Sequence, residues 1–163
     1  LKRYIALLEV TFLVKTLRAW YRNIGQRLVK SPKLALVDSG LMAHQLAVQG
    51  SGPELAAGPL LENFVAMELV KQADLEVRRP GVLHFRTSSG MEVDALLERG
   101  DGRVVGIEVK AADTVAQRDL RGLRALEEKL DDGLVCGVVL YTGVEARQLT
   151  RRLWALPVSA LWA

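Results

Sequence analysis

Several kinds of chemistry are all but missing from this chain. It holds one cysteine, Cys136, and two histidines, His44 and His84. A single thiol makes no internal disulfide. Its place in the apolar run Leu134-Val-Cys-Gly-Val-Val-Leu140 points to a buried group and, by default, to a reducing, cytoplasmic setting. The histidines stand far apart without zinc-ligand spacing, and no Ser-His-Asp or Cys-His arrangement can be assembled. No apolar run approaches the ~20 residues of a membrane helix, and no signal peptide is recognisable. No Gly-x-x-x-x-Gly-Lys-Ser/Thr loop occurs, so this stretch is not expected to hydrolyse ATP. Internal repeats and low-complexity tracts are absent as well. The chain opens at Leu1 inside an expected helix and reads as a fragment of something longer.

What is present is ordinary globular material: 163 residues, half hydrophobic and a quarter charged, enough for one domain or two small ones. The charge is uneven. Residues 1–50 carry eight Lys/Arg against Glu9 and Asp38, a net +6, and the remainder sums to −3. A basic front end with Arg27, Lys30 and Lys33 suits a polyanion or an acidic partner, and a solvated surface explains it equally well.

Residues 1–11 space Tyr4, Leu7, Leu8 and Val10 for a helix, and Phe12–Val14 suits a strand. Leu28–Val37 reads as extended, with Pro32 favouring an edge. Asp38 or Ser39 can cap a helix running to Val48. Together these resemble the tail of a winged-helix module over residues 1–50. Residues 51–57, with Gly-Pro chemistry, are expected to be a linker, and 58–163 a second domain. There, Gly58-Pro59 opens an apolar helix. Strands are expected over Val82–Thr87, Met91–Glu98 and Arg103–Lys110, then a helix capped by Asp113 or Thr114 with Ala116, Leu120, Leu123, Leu126 and Leu130 inward. Leu134–Tyr141 reads as a buried strand, Ala146–Leu153 as a last helix and Leu156–Leu161 as a last strand. The order helix–β–β–β–helix–β indicates an α/β domain with a mixed sheet and a helical crossover.

The chemistry concentrates in Gly90-Met-Glu-Val-Asp94 and Val105-Gly-Ile-Glu108-Val-Lys110. Alternation along a strand puts Glu108 and Lys110 on one face, and Glu92, Asp94 and Leu96 on one face of the strand before. Asp94 meets Glu108 only if the hairpin loop is odd, either Gly100-Asp101-Gly102 or that plus its two neighbours. Gly102 can supply the left-handed residue a three-residue loop needs. Two carboxylates so placed suit Mg²⁺ or Mn²⁺, which take hard oxygen ligands and serve phosphodiester hydrolysis. The Val109 carbonyl could join them, and Lys110 would orient water or offset phosphate charge. Glu62, at the front of an apolar helix, is costly to bury without a cation or donor. The same residues could instead form a structural ion-pair network.

Taken in order, Tyr4 to Glu9, Arg27-Leu-Val-Lys-Ser-Pro-Lys33, Asp38-Ser-Gly-Leu41, Leu61-Glu-Asn-Phe-Val65, Phe85-Arg-Thr87, Glu92-Val-Asp94 and Ile107-Glu-Val-Lys110 are similar to the C-terminal region of AAA-superfamily ATPases of bacteria and archaea. That region is catalogued as a domain of unknown function joined to a winged-helix segment. The acid and lysine motifs resemble the PD-(D/E)xK restriction-endonuclease-like superfamily. The resemblance implies a restriction-endonuclease-like α-β-β-β-α-β core with Glu62, Asp94, Glu108 and Lys110 at a Mg²⁺ or Mn²⁺ site. It also implies DNA as substrate and an N-terminal ATPase in the same full-length chain. The Gln-x-x-x-Tyr helix of the RecB-like branch is absent, since Arg121 follows Gln117, so that branch's DNA grip is not carried over. Arg118, Arg121 and Arg124 step along the crossover helix and could meet phosphates; a solvated face paired with Glu127 and Glu128 is the plainer account. Trp20 and Tyr21 suit packing or base stacking. The alternative function is a catalytically inactive fold kept for DNA binding or for assembly with the ATPase. No membrane partner is expected, and an oligomer is left open.

Overall fold

The apolar patterns become one layered structure in a computed structural model that describes residues 2–21, 31–50, 52–87 and 90–163. In chain order the elements are helix α1 (Lys2–Val10), strands β1 (Val14–Ala19) and β2 (Lys33–Leu36), helices α2 (Ser39–Val48) and α3 (Pro53–Leu75), strands β3 (Gly81–Arg86), β4 (Glu92–Glu98) and β5 (Val104–Lys110), helix α4 (Arg121–Leu130), and strands β6 (Leu134–Tyr141), β7 (Arg147–Gln148) and β8 (Leu153–Pro157). The strands form a mixed sheet in the order β2-β1-β3-β4-β5-β6-β8-β7. β5 and β6 pair in parallel, with α4 as the crossover between them, so the expected helix–β–β–β–helix–β order is present.

One helix covers each face. Val65 and Leu69 of α3 pack on Ala95, Ile107, Val109 and Leu140. Leu123, Leu126 and Leu130 of α4 pack on Leu96, Val104, Val139 and Leu153 opposite. Full burial of such side chains stabilises by about 1.5–3 kcal/mol each. α4 lies very close to the sheet: a Cβ on Gly122 would sit 2.0 Å from the Glu92 carbonyl oxygen, so no larger residue fits there.

The hairpin β4–β5 closes as the site requires. Arg99 N–H donates to the Arg103 carbonyl at 2.9 Å and Gly102 N–H to that of Arg99 at 2.9 Å. Gly102 takes φ 81°, which leaves a three-residue loop. Pairing runs from Glu98↔Val104 to Ala95↔Ile107, and Asp94 and Glu108 are the residues that follow at the end of that ladder.

Several expectations need correction. β1 pairs antiparallel with β2 and in parallel with β3, so the two strands of residues 1–50 extend the sheet of the later segment. β1 starts at Val14, not Phe12, because Phe12 turns the chain with φ 57°. Residues 53–57, expected in the linker, are the first turns of α3, where Pro53 sits in the first turn and needs no N–H partner. The crossover helix begins only at Arg121, after a 3₁₀ turn over Gln117–Leu120, and Ala116 is exposed. The Asp119 carboxylate, not Asp113 or Thr114, accepts from the backbone there, from Ala116 N–H at 2.8 Å. Residues 146–153 are not helical: β7 is followed by a turn, held by Leu153 N–H donating to the Thr150 hydroxyl at 3.1 Å. The last strand is Leu153–Pro157, paired in parallel with β6. It begins at Leu153 because that side chain is fully buried against α4.

Candidate functional site

β1 runs parallel to β3, and β5, β6 and β8 run parallel to one another; open α/β sheets bind ligands at such carboxyl ends. Four elements deliver charged groups there. β5 contributes Glu108 and Lys110, β4 contributes Asp94, α3 contributes Glu62, and β2 contributes Lys33.

Asp94 is set by a break in its own strand. Leu83 pairs with Leu96 but Phe85 with Val93, so Asp94 and Ala95 together oppose His84. This is a β-bulge, which re-aims side chains and recurs beside active sites. Strict alternation therefore fails in β4. Val93 joins Leu96 in the core beneath α4, while Ala95 faces α3. One Asp94 oxygen, Oδ2, accepts from Val109 N–H at 2.8 Å; the other, Oδ1, lies 3.4 Å from Lys33 Nζ.

Lys33 Nζ also pairs closely with Glu62 Oε1. It is placed by Asn63, the residue after Glu62. The Asn63 amide accepts from Leu36 N–H at 2.8 Å and donates to the Leu36 carbonyl at 2.9 Å. The side chain thus pairs with the backbone of β2 as a strand would. Lys110 Nζ pairs with Glu108 Oε1 at 2.9 Å. Glu108 Oε2 is buried with no partner.

The electrostatics follow from burial and crowding. Burial first, and the neighbouring Asp94 charge second, push the Glu108 carboxyl up to about 7, with Lys110 only partly offsetting them. Burial and then Asp94 also raise Glu62 above the usual carboxylate range, against the pull of Lys33. Burial lowers both lysines, but the facing carboxylates outweigh it and hold Lys33 and Lys110 above the ordinary lysine value. Strongly perturbed groups gathered at one place mark a candidate functional site.

Clefts flank the cluster, and two of them reach its acids. One, of 550 Å³, is lined by Pro59, Glu62, Lys110, Ala112 and Arg118. The other, of 450 Å³, is lined by Glu92, Glu108, Lys110, Arg118 and Arg121. Arg118 and Arg121 thus border the cluster, and Arg124 turns away to Gln117. Among the described residues, no ion pair joins these arginines to Glu127 or Glu128. Arg27 and Lys30 lie outside the described residues. Trp20 is buried, edge-on to Phe85 at 6.3 Å. Cys136 is half-buried, and burial raises its thiol.

As they stand, no three His, Cys, Asp or Glu side chains among the described residues enclose a single ion. The donor set nonetheless suits a hard cation. Glu62 and Asp94 already converge on one ammonium, and Glu108 keeps one buried oxygen unused. The role of Lys33 was missed in the sequence, where it counted only toward the basic front end. His84 is buried on β3 beside the site, and burial lowers its imidazole below the ordinary histidine value. Ser-Pro-Lys33 was visible as a motif, but nothing local links it to Glu62.

Fold and cluster together define a mixed α/β domain with a carboxylate–lysine site at its strand ends. Residues 57–161 match the family described as Domain of unknown function (DUF4143), and the chain belongs to that family. Residues 1–52 match a second, Domain of unknown function (DUF8612). The chain is 32% identical to the uncharacterized protein Rv2008c of Mycobacterium tuberculosis over 98% of its own length and 35% of that protein's. The same figures hold for the uncharacterized protein Mb2031c of Mycobacterium bovis. The chain therefore spans about a third of the curated relatives it matches. Among solved structures, 61% of the chain overlaps 27% of a chain in the assembly of Thermococcus gammatolerans McrB AAA+ hexamers with bound McrC, at 16% identity and a TM-score of 0.42. No helix among the described residues is long and apolar enough to cross a membrane.

Proposed function

We propose that this chain is a metal-dependent nuclease module acting on DNA, carried by a larger protein with an ATPase domain that positions it. The observation that carries the reading is the gathering of Glu62, Asp94 and Glu108 within one another's electrostatic reach, with Lys110 paired to Glu108. Burying three carboxylates so closely is costly, and a divalent ion removes that cost. Glu62, Asp94 and Glu108 would hold Mg²⁺ or Mn²⁺, hard ions suited to oxygen donors. When bound, such an ion supplies an activated water and offsets phosphate charge. Lys110, kept protonated by Glu108, presents a point charge to a phosphate oxygen. Arg118 and Arg121, exposed beside the clefts, are placed to take neighbouring phosphates. The PD-(D/E)xK resemblance and the ATPase partner rest on the sequence motifs.

Plasmid cleavage by the full chain, with and without Mn²⁺ and with ATP, tests this. Asp94→Ala and Lys110→Ala should each lower Mn²⁺-dependent cleavage about a hundredfold or more. Wild-type protein that leaves DNA intact would favour a second reading: an inert module for DNA binding or assembly. One observation supports that reading, namely that two lysines already offset most of the cluster's charge.

A further inference from the structure

We infer that Lys33 is the resident cation of this site, and that a divalent ion binds only where the Lys33 ammonium withdraws. The inference rests on the metal reading above and adds a residue from outside the family segment that carries the carboxylates. Lys33 lies in the stretch matched by one family, and Glu62, Asp94 and Glu108 in the stretch matched by the other. The site is composite.

The contacts are specific. Lys33 Nζ bridges Glu62 Oε1 and Asp94 Oδ1, the two carboxylates that a metal would also join. The second Asp94 oxygen is taken by Val109 N–H, and one Glu108 oxygen by Lys110. Four carboxylate oxygens of the cluster are thus engaged by the protein's own donors. A metal entering beside Lys33 would meet an ammonium at the same two acids.

Charge counting agrees. With all three carboxylates ionised, the two ammonium groups leave a single negative charge. Without Lys33 the cluster carries two, which matches a divalent ion. Nor is Lys33 a drifting surface lysine. Its side chain is 22% exposed, and Asn63 holds β2 through both backbone groups of Leu36. Asn63 thus ties to α3 the strand that carries Lys33, so the N-terminal segment sets where the ammonium rests.

The test is Mn²⁺ binding to the full chain, read from the free-Mn²⁺ signal in electron paramagnetic resonance, with no cleavage step. Lys33→Met keeps the aliphatic stem and removes the charge. It should bind Mn²⁺ about tenfold tighter or more than wild type, a change on the scale expected from removing one close charge. Lys33→Arg, which keeps the cation, should bind no tighter than wild type. Asn63→Ala, which frees β2 with the lysine intact, should also bind more tightly and serves if Lys33→Met fails to fold. Equal or weaker binding by Lys33→Met, beside clear binding by wild type, overturns the inference and leaves the metal reading standing. No binding by wild type with binding by Lys33→Met supports it. No binding by any variant overturns both.

Discussion

Replacing Glu108 by Gln should stabilise the protein above neutral pH, and the size of the gain can be worked out. Glu108 is pushed from the ordinary 4.5 to about 7, first by burial and then by Asp94. An acid whose pKa is raised on folding binds more protons in the native state than in the unfolded one. Stability therefore falls as pH rises between the two values. Below 4.5 the group is protonated in both states and costs nothing. Above 7 it is ionised in both, and the full penalty applies. At 1.36 kcal/mol per pKa unit the penalty is about 3 kcal/mol. Gln keeps an oxygen for Lys110 but carries no charge to desolvate. Urea unfolding of wild type and Glu108→Gln at pH 4, 6 and 8 should show a gap near zero at pH 4, opening by about 2–3 kcal/mol at pH 8. For a chain of this length, that is about 4–12 °C in Tm. A Gln variant less stable than wild type at pH 8 would refute the account of Glu108 as a strained acid. Proteins commonly give up stability at sites kept for function.

Gly122→Ala should destabilise by at least about 2 kcal/mol in urea unfolding, because the new Cβ meets a backbone oxygen that cannot swing away; a change under about 0.5 kcal/mol would contradict this packing. Asn63→Ala should cost about 2–4 kcal/mol by leaving both Leu36 backbone groups unpaired. Hydrogen exchange should then show the Leu36 amide opening ahead of the core, and unchanged protection would refute the clamp. Arg118→Gln and Arg121→Gln should each weaken DNA binding and reduce the slope of log affinity against log salt by about 1. An unchanged slope would remove these residues from the phosphate path.

Much of the layout was legible because its causes are local. Alternating apolar residues placed β3, β4 and β5, and Gly102 predicted the odd, three-residue loop that closes the β4–β5 hairpin. Asp38 or Ser39 was expected to cap α2, and it is Asp38 that accepts from Leu41 N–H at 2.8 Å. The misses share a different origin. The bulge at Asp94-Ala95 exists only against β3, and alternation within β4 gives no sign of it. Residues 146–153 look helical in isolation, yet Leu153 is drawn into a strand by parallel pairing with β6.

The sequence by itself determined the apolar helix α3, the amphipathic helix α4, the three-residue hairpin loop and the presence of acids and lysines near strand ends, since each depends on neighbours a few residues away. Only the tertiary structure decided that β2 lies beside α3, that Asn63 holds it there, and that Lys33 reaches the acids from 29 and 61 residues away. Pairing at that distance depends on the order in which strands join a sheet. That order is set by the packing of whole faces, which no short window of residues contains.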